Sequence, residues 1–331
     1  LVLLGTITTL LSMFLDNVTT VVLIAPVTIL ICEILGVNAS PYLMAEALLS
    51  DTGGVATLIG DPPNVLIASA AGLSFVDFLT HSLPVVLVAW FAVLAMLRVL
   101  FRKELALKPE NAGAVLELNP REALEDARTT RRVLIVLGCA LALFFFEEIL
   151  HIKPAFIALS AAAAALVWVR PNINTVLKNI EWSVLTFFMG LFIMIGGLEH
   201  AGVMDRIAAL MSATGSLDPR LLGVVVIWVV AVLSAVVDNV PITIALIPVL
   251  QELAAQGVNV TPLWWALAFG AGFGGNGTII GSTANVVVAS LSERTRHPIT
   301  SKLWNKRGLP VMLATCAIAS ILFVLGYPWL S

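Results

Sequence analysis

The chain has 331 residues, of which 59% are hydrophobic and only 12% are charged, and its formal net charge at neutral pH is −3. Soluble domains carry roughly 25% charged residues, so this composition excludes an ordinary soluble domain and predicts an all-α polytopic membrane protein embedded in a lipid bilayer. No phosphate-binding GxxxxGK[ST] motif occurs, which argues against ATP-driven transport by this chain alone.

Residues 1–35 contain the tripeptide Asp16-Asn17-Val18 between two apolar stretches. The stretch before Asp16 is shorter than the roughly 20 residues that a helix needs to cross a bilayer. It is either the end of a spanning helix followed by an aqueous loop, or one arm of a re-entrant hairpin with its polar tip near the membrane midplane. Because the chain begins at Leu1 inside an apolar run, we expect that a preceding N-terminal segment is missing.

Residues 41–70 are predicted to form a helix that is broken in the middle. The sequence Gly60-Asp61-Pro62-Pro63-Asn64 interrupts it, because each proline lacks a backbone N–H and Gly60 permits conformations that other residues avoid. A broken helix at membrane depth is tolerated only where it faces protein or a water-filled cavity. A spanning helix is predicted to follow at 81–100, and it completes a first repeat over 1–100.

Residues 101–131 are predicted to form a cytoplasmic linker, and residues 132–331 a second repeat. This repeat is expected to contain helices within 132–198, a hairpin at 220–256, a broken helix at 262–291, an amphipathic stretch at 292–307 and a final helix at 309–329. The second hairpin carries Asp238-Asn239-Val240, and the second broken helix carries Gly281-Ser282-Thr283-Ala284-Asn285.

The two halves repeat the same residues at fixed distances. Four positions of the first hairpin, including Asp16 and Asn17, recur 222 residues later, and eight positions of the first broken helix, including Gly60 and Asn64, recur 221 residues later. Shared hydrophobicity does not explain identities at polar, glycine and proline positions. Interrupted helices at matching places in two halves are typical of the binding site of a secondary transporter.

The positions of the basic residues predict the topology. Of the 18 Lys and Arg residues, 15 lie in the stretches 98–132, 170–178 and 294–307, which we therefore place in the cytoplasm. Residues 199–261 must then begin and end outside, so the arms of 220–256 enter and leave by the same face. This favours re-entrant hairpins and makes the two repeats inverted.

Polar side chains at the two hairpin tips and the two helix breaks are the candidate binding residues. The predicted ion- and substrate-binding residues are Asp16, Asn17, Thr19, Asp51, Thr57, Gly60, Asp61, Asn64, Asp238, Asn239, Asn276, Thr278, Gly281, Ser282, Thr283 and Asn285. A Na⁺ site is expected at Asp16, Asn17, Asn64, Asp238, Asn239 and Asn285, since carboxylate and amide oxygens suit a hard cation or a proton relay.

Several of these residues have a structural alternative. The four asparagines could satisfy the backbone of the broken helices instead of binding a ligand. Asp51 and Asp61 have no acidic counterpart in the second half, where Gly272 and Ser282 stand. Glu46 aligns with Leu267, and its role stays open between binding and structure.

Two motifs carry a family resemblance. The sequences IGDPPNVLIAS (59–69) and GGNGTIIGSTANVVVAS (274–290), each preceded by a DNV hairpin, resemble the ion transporter superfamily. The resemblance is to its P protein and arsenite-permease-like branch, of the CitMHS type, with the divalent anion–sodium symporters as distant kin. It covers nearly the whole chain. It implies an inverted-repeat fold with two re-entrant hairpins and two unwound helices, and a homodimer whose transport domains move as elevators.

The resemblance has one departure at the hairpin tips. The symporters carry Ser-Asn-Thr motifs there, which bind Na⁺ and a substrate carboxylate, whereas this chain has Asp16-Asn17-Val18 and Asp238-Asn239-Val240. The added carboxylates would repel a dianion unless Na⁺ or H⁺ neutralises them.

These observations predict a secondary active transporter of the cell (inner) membrane that moves a small anion with Na⁺ or H⁺ by an elevator mechanism. A Na⁺/H⁺ antiporter, an arsenite efflux permease and an uncoupled anion channel are the alternatives. A membrane-embedded hydrolase is disfavoured because no nucleophile–base pair stands out. No cofactor other than the coupling ion and no nucleic-acid partner is expected.

Overall fold

The computed structural model describes residues 1–106, 113, 126–180, 182–203 and 218–330, and every regular element within these ranges is helical. The first half contains α1 (Val2–Ser12), α2 (Asn17–Leu35), α3 (Ser40–Gly54), α4 (Pro62–Ala71) and α5 (Phe75–Leu100). The predicted break within 41–70 separates α3 from α4. Helix α5 begins at Phe75 rather than at residue 81, because Ser74 and Asp77 form a capping box and a π-helical turn at Phe78–Ser82 continues the helix.

The first half is followed by α6 (Ala127–Phe145), α7 (Pro154–Val169) and α8 (Trp182–His200). Helix α6 begins before the predicted residue 132, because the Asp126 carboxylate accepts hydrogen bonds from the backbone N–H groups of Arg128 at 2.9 Å and Thr129 at 3.2 Å. Most of the linker predicted at 101–131 lies outside the described residues.

The second half contains α9 (Pro219–Val236), α10 (Asn239–Ala255), α11 (Thr261–Gly275), α12 (Thr283–Ser292) and α13 (Ser301–Leu325). The prediction of an amphipathic stretch at 292–307 and a separate helix at 309–329 was wrong in its boundary. One helix starts at Ser301, where the Thr300 hydroxyl accepts from the Leu303 N–H, and it continues through Pro310. The polar residues of 301–307 form its first turns.

Within the described residues, four helices are long and apolar enough to cross a membrane: Asn17–Leu35, Phe75–Leu100, Pro219–Val236 and Ser301–Leu325. The chain is therefore a polytopic membrane protein, as its composition predicts. Two of the four, α2 and α9, are arms of the hairpins that the basic residues predict to be re-entrant. Since their length suits a full crossing as well, the re-entrant and inverted topology stays a prediction.

The hairpins pack against the broken helices in a repeated pattern. The first arm of each hairpin packs on the broken helix of its own half, as α1 does on α3 and α9 on α11. The second arm packs on the broken helices of both halves, as α2 does on α3 and α12, and α10 does on α11 and α4. Both hairpin tips therefore lie beside the helix breaks, and α13 packs against α5, α9 and α11 behind them.

Candidate functional site

Each helix break is closed by a glycine that approaches another backbone. A Cβ atom on Gly60 would lie 2.6 Å from the Gly54 carbonyl oxygen and 2.7 Å from that of Ser12. A Cβ atom on Gly281, the equivalent residue, would lie 2.6 Å from the Gly275 carbonyl oxygen. Neither site has room for a side chain, so Gly60 and Gly281 shape the site and contribute no side-chain ligand.

Two asparagines satisfy the backbone of the breaks. Asn64 Nδ2 donates to the Thr57 carbonyl at 2.8 Å and to that of Gly54 at 3.1 Å. In the second half, Asn285 Nδ2 donates to the Thr278 carbonyl at 3.0 Å and to that of Gly275 at 2.9 Å. Their amide nitrogens therefore have the structural role that the sequence left as an alternative.

The threonines before the breaks bind the hairpins. The Thr57 hydroxyl donates to the Met13 carbonyl, and the Thr278 hydroxyl donates to the Ala235 carbonyl. Met13 and Ala235 are equivalent residues, each near the tip of its hairpin. These hydroxyl groups hold each hairpin to the break of its own half.

Two carboxylates lie where the tips and breaks meet. Asn17 Nδ2, from the first tip, lies 3.0 Å from Asp51 Oδ1 and 3.4 Å from Asp61 Oδ1. Asn239 Nδ2, from the second tip, lies 3.0 Å from Asp61 Oδ2 and 3.3 Å from Asp61 Oδ1. Ser282 Oγ donates to Asp51 Oδ1 at 2.8 Å. We call these five residues, each at most 3% exposed, the central cluster.

The central cluster contains two carboxyl groups, and no described cationic side chain forms an ion pair with either of them. Among the described residues the recorded ion pair is Arg307 with Glu104, far from Asp51 and Asp61 in sequence and outside the cluster. A buried carboxylate is costly unless it is paired or well supplied with hydrogen bonds. The amides of Asn17 and Asn239 offset part of the cost of burying these carboxylates, and a bound cation or proton would offset the remainder.

Three buried oxygen atoms beside the cluster lack a hydrogen-bond partner: Asp51 Oδ2, Asn276 Oδ1 and Asn285 Oδ1. Asn276 lies across from α3, where its Nδ2 is 3.3 Å from Thr52 Oγ1, and the Asn285 side chain lies beside Asp51. Carboxylate and amide oxygens are ligands for hard cations. No group of three or more His, Cys, Asp or Glu residues that could hold a metal occurs in the part of the chain that the structure describes.

Asp16 and Asp238 occupy helix N-caps. The Asp16 carboxylate accepts from the Thr19 N–H at 3.0 Å and from the Thr19 hydroxyl, and Thr19 itself is exposed. The Asp238 carboxylate accepts from the Val240 N–H at 3.1 Å and from Thr283 Oγ1 at 2.9 Å. Both carboxylates are partly buried at the edge of the cluster, and neither has a recorded hydrogen bond to its amides.

The N-termini of α4 and α12 offer few free donors. Pro62 and Pro63 remove two N–H groups from the start of α4. At the start of α12, the Thr283 hydroxyl and backbone N–H face the Asp238 carboxylate. A free half-helix N-terminus attracts anions, but the N-terminus of α12 is already occupied by the Asp238 carboxylate.

The sequence analysis missed three serines of the site. Ser12 Oγ donates to the Ser50 carbonyl at 2.8 Å, and Ser50 Oγ donates to the Asn17 carbonyl at 3.1 Å, which fixes the first tip on α3. Ser234 Oγ makes the equivalent bond to the Ala271 carbonyl at 2.8 Å. Ser12 and Ser234 are identical residues 222 positions apart, so the internal repeat could have identified both as candidate site residues.

Comparisons with known proteins give one consistent family. The family model CitMHS, described as "Citrate transporter", matches residues 1–270. An uncharacterized transporter of Mycobacterium tuberculosis is 40% identical over 99% of this chain and 77% of its own length. The 46 kDa membrane protein of Mycobacterium leprae is 39% identical over 96% of this chain and 74% of its own length. The human P protein is 30% identical over 93% of this chain, a match that covers 46% of the P protein.

Proposed function

Because the chain belongs to the CitMHS citrate transporter family, a family of membrane transporters rather than enzymes, we propose that a Na⁺ or H⁺ gradient drives its transport of a small anion. The observation that carries this proposal is the central cluster. Amides from both hairpin tips converge on two buried carboxylates that lack a cationic partner among the described residues. Such a site favours a small cation or a proton as its ligand.

In this proposal Asp51 and Asp61 bind the coupling ion. The unpartnered oxygens of Asn276 and Asn285 complete a set of oxygen ligands if the ion is Na⁺. If the ion is H⁺, the two carboxylates share it, since two adjacent carboxylates disfavour full ionisation of both. Asp16 and Asp238 then lie at the edge, where they set the charge that an entering anion meets.

The tips provide the link between ion binding and movement. Asn17 and Asn239 belong to different halves, yet both donate to Asp61. Neutralising Asp61 weakens these charge-assisted hydrogen bonds, so the occupancy of the site controls how firmly the tips are held. The elevator movement, the inverted topology, a homodimer and a location in the inner cell membrane belong to the same proposal.

Na⁺/H⁺ exchange is the second candidate, and one observation favours it. The described residues of the site include no cationic side chain, and the two half-helix N-termini are occupied by Asp238 or reduced by prolines. An anion therefore finds few donors, whereas a cation finds several oxygens. In that case the carboxylates bind Na⁺ and H⁺ in turn and no anion moves.

Flux into proteoliposomes with imposed Na⁺ and H⁺ gradients tests the proposal. We expect citrate, phosphate or arsenite to accumulate above equilibrium only when one of the two gradients is present. Sodium uptake driven by a pH gradient without any anion would establish the antiporter instead. Accumulation that never exceeds equilibrium under either gradient would identify a channel and contradict the proposal.

A further inference from the structure

Glu46 is a buried carboxyl group outside the central cluster. It lies on α3 five residues before Asp51, which is about 7.5 Å along a helix axis. The Thr28 hydroxyl, on α2, donates to Glu46 Oε1, while Oε2 is buried without a hydrogen-bond partner. Glu46 is 0% exposed, so water does not solvate it in this conformation.

No cation balances Glu46 within the described residues. Cys32 faces it from α2, and Tyr42 lies nearby on α3 itself. The helices α1, α11 and α12, which also pack on α3, contain no titratable side chain. The amino group of Leu1, directly before α1, faces Cys32. The charged groups of α5 and α13 nearest to this end of α3 point elsewhere: Arg98, Lys302 and Lys306 are exposed, and Arg307 pairs with Glu104.

The second half shows that the fold does not require a polar pair here. The residues equivalent to Thr28 and Glu46 are Leu250 and Leu267, at the same offsets of 222 and 221. Both leucines are buried, at 3% and 0% exposure, between α10 and α11, which pack as α2 and α3 do. Two leucines fill the site without burying a charge, so packing alone does not explain a carboxyl group and a hydroxyl group in the first half.

A polar cavity lies next to this pair. Cys32 is one helix turn beyond Thr28 on the same buried face of α2, and it lines a cavity of about 340 Å³. The same cavity is lined by Arg294, Arg296 and His297, in the segment between α12 and α13. Thr28 and Glu46 therefore lie close to this cavity, which is at the end of α2 that contains Cys32.

We propose that Glu46 and Thr28 form a proton-binding site that is separate from the central cluster and exchanges its proton with this cavity. A sodium ion does not fit, because the pair offers only the carboxyl and hydroxyl oxygens among apolar neighbours. A proton needs no further ligands and removes the cost of a buried charge. This inference goes beyond the proposed transport function and does not depend on which ion the central cluster binds.

Infrared difference spectroscopy of the full chain in lipid, recorded between low and high pH, tests this site without any transport assay. We expect a carbonyl-stretch band of a protonated carboxyl group that disappears in Glu46→Gln and shifts in Thr28→Val. Glu33→Gln, which changes an exposed carboxylate of α2 that lines the same cavity, should keep the band.

Two results would overturn the inference. One is a Glu46→Gln spectrum identical to that of the wild type, and the other is an equal loss of the band in Glu33→Gln. If Glu46→Gln does not fold, the double variant Thr28→Leu with Glu46→Leu reproduces the pair of the second half. Its spectrum must then lack the band for the inference to stand.

Discussion

Replacing Asn239 by alanine tests the contact between the second hairpin tip and the break of the first half. The Asn239 amide group donates to both oxygens of Asp61, at 3.0 and 3.3 Å, and no other tip residue of that hairpin has a recorded bond to this carboxylate. A hydrogen bond to a charged group contributes about 1.5–3 kcal/mol, which corresponds to about a 10- to 150-fold change in an equilibrium constant. We therefore expect the tip to open about 10- to 150-fold more often in Asn239→Ala.

Hydrogen exchange followed by mass spectrometry measures this opening directly. Peptides that contain residues 236–243 should exchange faster in Asn239→Ala by that factor, while peptides from α6 should not change. Gln256→Ala, near the other end of the same helix, is a matched control because Gln256 is exposed and lies far from Asp61. Unchanged exchange at the tip of Asn239→Ala would refute the reasoning that this amide holds the hairpin to Asp61.

Three further substitutions follow from the geometry of the breaks. Gly60→Ala should lower the free energy of unfolding by about 1–3 kcal/mol, because its Cβ would meet two backbone carbonyls, whereas Gly138→Ala in open space should not destabilise; thermal unfolding compares them. Trp304→Phe should cost about 1–3 kcal/mol in the same assay, since it leaves the buried Asn276 carbonyl without its 3.1 Å donor. Asp238→Asn keeps an oxygen that caps α10, so the free energy of unfolding should stay the same. The flux of an anionic substrate should change, because the substitution removes a negative charge at the edge of the site. Anion flux equal to that of the wild type would contradict a role for that charge.

The positions of the hairpins and breaks could be predicted because polar residues inside apolar runs are costly. Gly60, which Pro62 and Pro63 follow closely, and Gly281 stand at matching positions of the two repeats, and the structure has its helix breaks there. The repeat also predicted that both tips carry the same residues. Such a repeat of polar and glycine residues is specific evidence for hairpin tips and helix breaks, because hydrophobicity alone does not produce it.

The partners of individual side chains could not be predicted. Asp16 and Asp238 each stand beside an asparagine between apolar stretches, which suits an ion-binding carboxylate. In the structure both accept hydrogen bonds from the N-terminus of the helix that they cap. Asn64 and Asn285 turn back to the carbonyls of the helix before them, a choice that depends on the exact backbone of the break. Ser282 reaches Asp51 across 231 residues of sequence, which only the packing of α12 on α3 decides.

The start of α13 was missed for a different reason. Because residues 301–307 are polar, the sequence predicted a separate helix that begins only at residue 309, just before Pro310. In the structure Thr300 caps the helix, and Pro310 is accommodated inside it. A proline removes one backbone hydrogen bond, and a long, well-packed helix tolerates that loss.

The central claim is that Asp51 and Asp61 carry the ion that drives transport. Gradient-driven accumulation in proteoliposomes containing Asp61→Asn, measured beside substrate counterflow in the same vesicles, tests it most directly. The account predicts that accumulation above equilibrium disappears in Asp61→Asn under Na⁺ and H⁺ gradients alike. Wild-type accumulation by Asp61→Asn, with the same dependence on the driving ion, would contradict it.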